Sequence, residues 1–401
     1  VFDLLQFLLS ILLIALGALV SGSDLSPLSS PLISDDSPQL GIYLGVVADV
    51  QNPPSIGALA VPRKYTPSPL STPTPYTLRW RMGVGAPQIS LLAYDWPDAR
   101  PGWVHNWTFG VIGAEGIPTH IEDVRLDLTG AETGLGMEYA PMLRTPGGRL
   151  YFTADMIGQV ARAYPGHAWL VGNEPDVLAQ DWSTPAEYAR AFHFAYQTIK
   201  EADPRATVIA GNLSQITPLR LAYLDAFWDA YQAEYGEAPS VDVWGMHAFI
   251  LREEAGNWGV GLPPGLPVDA PDGRLWEVED HDDLDLVEQQ VRDMRRWMAD
   301  HDQGDKPLWV TEYGILMPAE LDFPPARVER FMLGSFDLLD SLRDPALGLA
   351  ADDDRLVQRW LWFSAHSVDY PAGNLFDADG RPTGLMDAMA GYLQGHDKMT
   401  R

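Results

Sequence analysis

His167 to Asp176 reads H-A-W-L-V-G-N-E-P-D. Its short apolar run, Ala168 to Val171, stops abruptly at Gly172, Asn173, Glu174 and Pro175. That is the pattern of a buried parallel strand delivering a carboxylate to its C-terminal end. A second stretch of the same design, Pro307 to Gly314, reads P-L-W-V-T-E-Y-G and delivers Glu312. Two strand-end glutamates in such settings predict a barrel of parallel strands with two carboxylates across one cleft.

Similar strands recur on both sides of the first stretch. Arg79 to Gly85, Gly102 to Thr108 and Gly136 to Leu143 precede it. Val208 to Gly211, Val241 to Met246, Leu308 to Thr311 and Arg359 to Ser364 follow it. Helical patterns separate most of them. Thr184, Pro185 and Glu187 make a capping box with proline at the first helical position, after which Tyr188, Phe192, Ala195 and Ile199 share one face. A second helix carries Leu221, Leu224, Trp228 and Tyr231 and stops at Gly236. Leu286, Gln290, Met294 and Trp297 mark a third, and Val328, Phe331, Phe336 and Leu339 a fourth. Eight such strands with helices between them predict an α/β fold, specifically a (β/α)8 TIM barrel. Phe109 to Gly134 reads as an excursion over the rim.

The N-terminal region is different in kind. Leu4 to Val20 is broken only by Gln6, Ser10 and Gly17, a length between a secretory h-region and a minimal membrane span. Asp3 stands where a basic n-region is usual. Residues 1–22 are therefore expected to be a signal peptide or a membrane anchor, and the protein to be secreted or held at the extracellular surface. Residues 23–76 are rich in Ser, Pro and Thr and read as a spacer. Within them Gly41 to Val50 is either a strand docked on the main domain or part of a separate element. Residues 77–401 form the predicted catalytic domain.

Across 401 residues, 27 basic side chains face 55 acidic ones, a net charge of −28. That field argues against nucleic acid and anionic lipid as partners of the folded body and suits a neutral glycan. The absence of cysteine excludes disulfides, thiolate metal sites and a cysteine nucleophile. Glu279 to Asp285 and Phe376 to Pro382 are acidic enough to suggest calcium. They read instead as a solvated helix entrance and a turn, since neither supplies a full ligand loop. The sequons at Asn106 and Asn212 fall at predicted strand ends inside the barrel mouth, so modification is not expected there.

Glycosidic hydrolysis needs a proton delivered to a poor leaving oxygen while the oxocarbenium ion is met from the other face, and two carboxyls can do both. Asn173 beside Glu174 can bind a sugar hydroxyl. Tyr313 beside Glu312 is placed to hold that carboxylate's rotamer through its phenol. In a retaining pair Glu312 would be ionised, and its charge would raise the pKa of Glu174 so that Glu174 keeps its proton. A carboxyl separation of roughly 5 to 5.5 Å fits retention, and about 6.5 Å or more fits inversion.

The motifs W-V-H-N-W (Trp103 to Trp107), M-E-Y-A-P-M-L (Met137 to Leu143), G-N-E-P-D, V-D-V-W-G-M-H (Val241 to His247) and V-T-E-Y-G (Val310 to Gly314) occur in this order. With them the chain, over roughly Arg79 to Leu393, resembles the clan A glycoside hydrolases, most of all the catalytic-core family that includes endo-β-1,3-glucanases. The resemblance implies Glu174 as acid/base, Glu312 as nucleophile and Asn173 as a hydroxyl-binding residue. It places His247 beside the nucleophile's subsite; from the residues alone His247 reads as a satisfied core histidine. Asn106 and Trp107 are candidate sugar contacts, and Trp362 a candidate stacking platform, with Trp360 on the same side by alternation. The expected enzyme is a monomer that takes a carbohydrate and needs no cofactor or metal. Another clan A activity, on xylan or mannan, and a barrel that binds glycans without turning them over remain as alternatives.

Overall fold

The computed structural model describes residues 73–87, 91–108 and 131–399. The hydrophobic segment 1–22, the spacer up to residue 72 with Gly41 to Val50, and all but the last four residues of the excursion Phe109 to Gly134 lie outside them. Among the described residues no helix is long and apolar enough to cross a membrane.

Nine parallel strands make one curled sheet of the α/β class, a TIM-like barrel. They are β1 Met82–Gly85, β2 Trp103–His105, β3 Glu138–Tyr139, β4 Met142–Leu143, β5 Ala168–Val171, β6 Thr207–Leu213, β7 Val243–His247, β8 Leu308–Tyr313 and β9 Arg359–Phe363. Their order is β3-β2-β1-β9-β8-β7-β6-β5-β4. The two end strands are successive pieces of one segment, parted by Ala140 and Pro141. On one edge Glu138 and Ala140 donate to Gly102 and Val104; on the other, Leu170 and Gly172 donate to Pro141 and Leu143. The predicted third strand thus serves β2 with its first half and β5 with its second, and Pro141, which has no N–H, sits at the handover.

Helices cover the outside. The capping box at Thr184 and Glu187 forms as expected, and Tyr188, Phe192, Ala195 and Ile199 of the helix Pro185–Ala202 are buried against the sheet. Gly236 ends the helix Pro218–Tyr235 at φ 74°, a conformation that favours glycine. The first strand starts later than the sequence suggests. Thr77 caps a single helical turn, Leu78–Arg81, because Arg81 turns to make a two-pronged ion pair with buried Asp352, at 2.6 and 2.7 Å.

The barrel floor is closed by a cation among indoles. The Arg359 guanidinium lies 4.2 Å from the Trp80 ring centre, 4.8 Å from Trp309 and 5.4 Å from Trp103, and pairs with Glu138. Burial lowers its pKa to about 10. Gly83 leaves room for this packing, since a Cβ there would stand 2.4 Å from Trp103.

Candidate active site

Both candidate carboxylates stand at the C-terminal mouth of the barrel, and each owes its position to an irregularity in the backbone. After β5, Gly172 takes φ 81°, and a Cβ on it would lie 2.7 Å from the ring of Tyr188. Glu174 itself has φ 44°, and its N–H donates to the carbonyl of Asn212 at 2.9 Å. Asn173 is fixed by its own N–H to Asp181 at 2.8 Å and by its side-chain amide to Gln180 at 3.2 Å. Its Oδ1 is buried without a partner among the described residues, oriented as an acceptor beside Glu174.

Two bulges set the other side. In β6 the pairing with β7 runs Gly211 to Gly245 and then Leu213 to Met246, so Asn212 is the extra residue, at φ 53°. In β8 the pairings with β7 and β9 both skip one residue between Val310 and Tyr313. Such a bulge turns two successive side chains, Thr311 and Glu312, to the inside. The two bulges meet. The Thr311 hydroxyl donates to Asn212 Oδ1 at 2.9 Å, and Asn212 Nδ2 donates to the Gly172 carbonyl at 3.1 Å. Gly245 makes the space, because a Cβ there would stand 2.2 Å from Asn212 Oδ1. Asn212 is thus a buried brace between the strand of Glu174 and that of Glu312.

His247, at the end of β7, lies between the carboxylates. Its Nδ1 is 2.9 Å from Glu174 Oε1, and its Nε2 is 3.5 Å from Glu312 Oε1. The Trp107 indole N–H donates to the same Glu312 oxygen at 2.7 Å. His105 sits on the far side, with Nε2 3.3 Å from the Thr311 carbonyl and Nδ1 3.4 Å from the Trp107 N–H. This matches a neutral ring that donates through Nε2 and accepts at Nδ1.

Burial dominates the electrostatics. It pushes the Glu312 carboxyl up to about 7; nearby His247 opposes that rise, Glu174 adds to it and Trp107 opposes it again. For His247 burial works against protonation, but Glu312 and Glu174 outweigh it and the pKa is raised. His105 goes the other way, down to about 3, through burial and the charge of His247. The sequence reading expected the raised carboxyl to be Glu174. Burial, with Glu174 beside it, raises Glu312, the carboxyl that reading expected to be ionised.

Two expected positions need correction. Tyr313 does not hold Glu312: the bulge points it outward, where its hydroxyl accepts from Ser335 at 3.1 Å and its ring packs on Phe331 and Trp362. The indole of Trp107 takes the orienting role. Trp362 is no stacking platform either, being buried with Trp360 on the outer face, its indole N–H donating to Gly373 at 2.8 Å. Phe363, next along β9, faces the cleft instead, with its ring centre 5.7 Å from Trp107 and 6.2 Å from Phe249. Asn106 is half-buried, and its Oδ1 accepts from the Tyr139 hydroxyl. His105 and Phe363 were not singled out from sequence, and Asn212 was noticed only as a sequon at a predicted strand end. Period-two alternation from Trp103 does put His105 on an inner face, whereas nothing local marks the two bulges.

The loop after β9 brings Tyr370 close to the acid side. Burial, then Asp369 and Glu174, push its phenol up to about 12, so it stays a neutral hydroxyl beside the cleft.

No protein-family model matches the chain, and no curated protein matches it by sequence. Solved structures do match in fold. An endo-beta-1,3-glucanase of GH128 subgroup II from Pseudomonas viridiflava aligns with a TM-score of 0.50 at 18% identity, covering 77% of this chain and 96% of its own. A glucosidase from Croceicoccus marinus aligns with a TM-score of 0.53 at 13% identity, covering 82% of this chain and 69% of its own. Identities this low establish a shared barrel and leave the chemistry to be argued from the site.

Proposed function

We propose that the protein is a retaining β-glycosidase that cleaves a β-glucan with Glu174 as acid/base and Glu312 as nucleophile. The carrying observation is the pair of buried strand-end carboxylates facing the two nitrogens of His247. In the first step Glu312 attacks the anomeric carbon while Glu174 gives its proton to the departing oxygen, leaving a glycosyl ester on Glu312. In the second, Glu174 takes a proton from water, which displaces Glu312 and frees the sugar. The Trp107 N–H and His247 stabilise negative charge on Glu312 before it attacks and again as the ester is displaced. Asn173 Oδ1, beside the acid, is placed to accept from a sugar hydroxyl.

The β-glucan part of this reading rests on the motif resemblance. The activity named for the Pseudomonas structure is the reason to put a β-1,3-glucan first among substrates. We further propose export, on the hydrophobic segment Leu4 to Val20.

The test is hydrolysis of laminarin, mixed-linkage glucan, xylan and mannan by the whole chain, with Glu312→Gln beside it and the first-formed anomer followed by NMR. Release of β-anomeric sugar from one glucan, abolished by the substitution, is the expected result. An α-anomer would overturn retention, and a folded protein that binds glycan without cleaving it would overturn catalysis.

A further inference from the structure

On the same face of the barrel as the cleft, a cavity of about 200 Å³ opens between the loop after β6, the long loop after β7 and the helix Leu284–Asp300. Ile216 and Leu286 contribute apolar wall, and Trp276 adds a half-buried indole. Arg274, Gln289 and Asp293 supply the polar rim.

Three of these side chains make no hydrogen bond or ion pair among the described residues. The guanidinium of Arg274 is unpaired in a chain with twice as many acids as bases, although its backbone is clamped: its N–H donates to Glu253 at 2.6 Å, and its carbonyl accepts from the Glu253 N–H at 2.8 Å. The amide of Gln289 and the indole N–H of Trp276 are likewise uncommitted. Asp293 pairs only with exposed Arg296, at 2.5 Å.

The combination selects a ligand class. An indole face suits the C–H face of a pyranose ring. Donors from Arg274 and Gln289 beside acceptors from Asp293 and Gln289 suit neighbouring hydroxyls, each of which both donates and accepts. The volume lies below the roughly 300–1,000 Å³ of pockets that enclose a drug-sized molecule, so it fits one sugar ring of a chain that continues outside. The net charge of −28 disfavours an anionic glycan.

We propose that this cavity is a second, non-catalytic glycan-binding site that holds a neutral glucosyl unit of the polymer against Trp276. The class of polymer rests on the function proposed above; the site itself does not need catalysis. The site is firmly tied to the cleft. Glu253, which clamps Arg274, accepts from Arg220 at 2.6 Å, and Arg220 donates to Asp176 at 3.0 Å, two residues beyond Glu174.

The test uses the full chain carrying Glu312→Gln, titrated calorimetrically with a β-1,3-linked glucose hexamer and mixed with insoluble β-1,3-glucan. Two binding events are expected. Adding Trp276→Ala should remove one of them and lower retention on the insoluble glucan about tenfold, with Arg274→Met giving a smaller loss and melting curves showing that both variants fold. In the chain with native Glu312, Trp276→Ala should leave hydrolysis of short soluble oligosaccharides unchanged. A single binding event, no binding at all, or equal binding by both variants would each overturn the second site. Binding that depends on Trp276 in a chain that hydrolyses nothing would keep this site and overturn the catalytic reading instead.

Discussion

Glu174 and Asp176 stand two residues apart on one loop, both buried, and they belong to clusters built on opposite rules. Around Asp176 the partners are saturated. Its carboxylate receives Ser214 Oγ at 2.6 Å and Arg220 at 3.0 Å, while the other end of Arg220 reaches Glu253, which also accepts from Gln215, Thr217 and the Arg274 N–H. Around Glu174 the partners run short. Two carboxylates share one imidazole, and Asn173 Oδ1 and His247 Nε2 lack a hydrogen-bond partner among the described residues. A saturated cluster holds shape; an undersatisfied one keeps capacity for a substrate and for mobile protons.

The sharpest way to break this contrast is to neutralise each cluster in turn. Glu174→Gln should cut hydrolysis of a substrate with a poor leaving group by about 10²–10⁴-fold with the melting temperature little changed. A small anion such as azide should not restore the native rate on that substrate. Arg220→Met should do the reverse and cost stability first, by about 3–5 kcal/mol in denaturant unfolding, because it strands Asp176 and Glu253 in the interior. If Arg220→Met melts like the parent, the saturated cluster is not the scaffold.

The brace between the clusters gives an intermediate effect. Asn212→Ala takes the Gly172 carbonyl's side-chain donor and leaves the Thr311 hydroxyl only the Met246 carbonyl, at 3.2 Å, a loss of about 1–3 kcal/mol. It should lower kcat more than KM, since the two carboxylate-bearing strands lose their common strut. A change confined to KM would count against that role.

The pH dependence of stability separates the clusters with a smaller effect. Glu312 is raised from 4.5 to about 7, so between those values the folded chain holds a proton that the unfolded chain has released, and stability falls as pH rises through the window. Raised His247 acts in the same sense above 6.5. Glu312→Gln should therefore flatten the stability profile between about pH 5 and 8 and leave the variant more stable than the parent at pH 8. An unchanged slope would place the titration elsewhere. The smallest effect is expected from Tyr313→Phe, with about 0.5–1.5 kcal/mol lost with its Ser335 contact and activity retained. A large fall in activity would return Tyr313 to the cleft.

Most of the fold was legible because buried strands and amphipathic helices announce themselves over many residues. All eight expected strands are present, the third as the split pair β3 and β4, and the capping box at Thr184 is where the sequence puts it. The misplacement of Tyr313 comes from the bulge in β8. Alternation carried past Thr311 predicts Glu312 out and Tyr313 in, and a single inserted residue reverses the two. Bulges depend on pairing with partners distant in sequence, so no local pattern around Asn212 or Thr311 discloses them. The Trp362 assignment failed differently: alternation correctly put Trp360 and Trp362 on one side but left open which side was buried. The rise of Glu312 needed the depth of its carboxyl, which is a property of the assembled barrel.

The split third strand has a consequence for motion. A closed ring of paired strands resists widening everywhere at once, but this ring has a clasp, where two-residue β3 and two-residue β4 hand over at Pro141. Amide exchange should run fastest among the inner strands there, at Tyr139 and Leu143, and slowest at the long pairings of β6, β7 and β8. Any widening of the mouth is then taken up first at the clasp, while the strands that carry His247 and Glu312 stay in register.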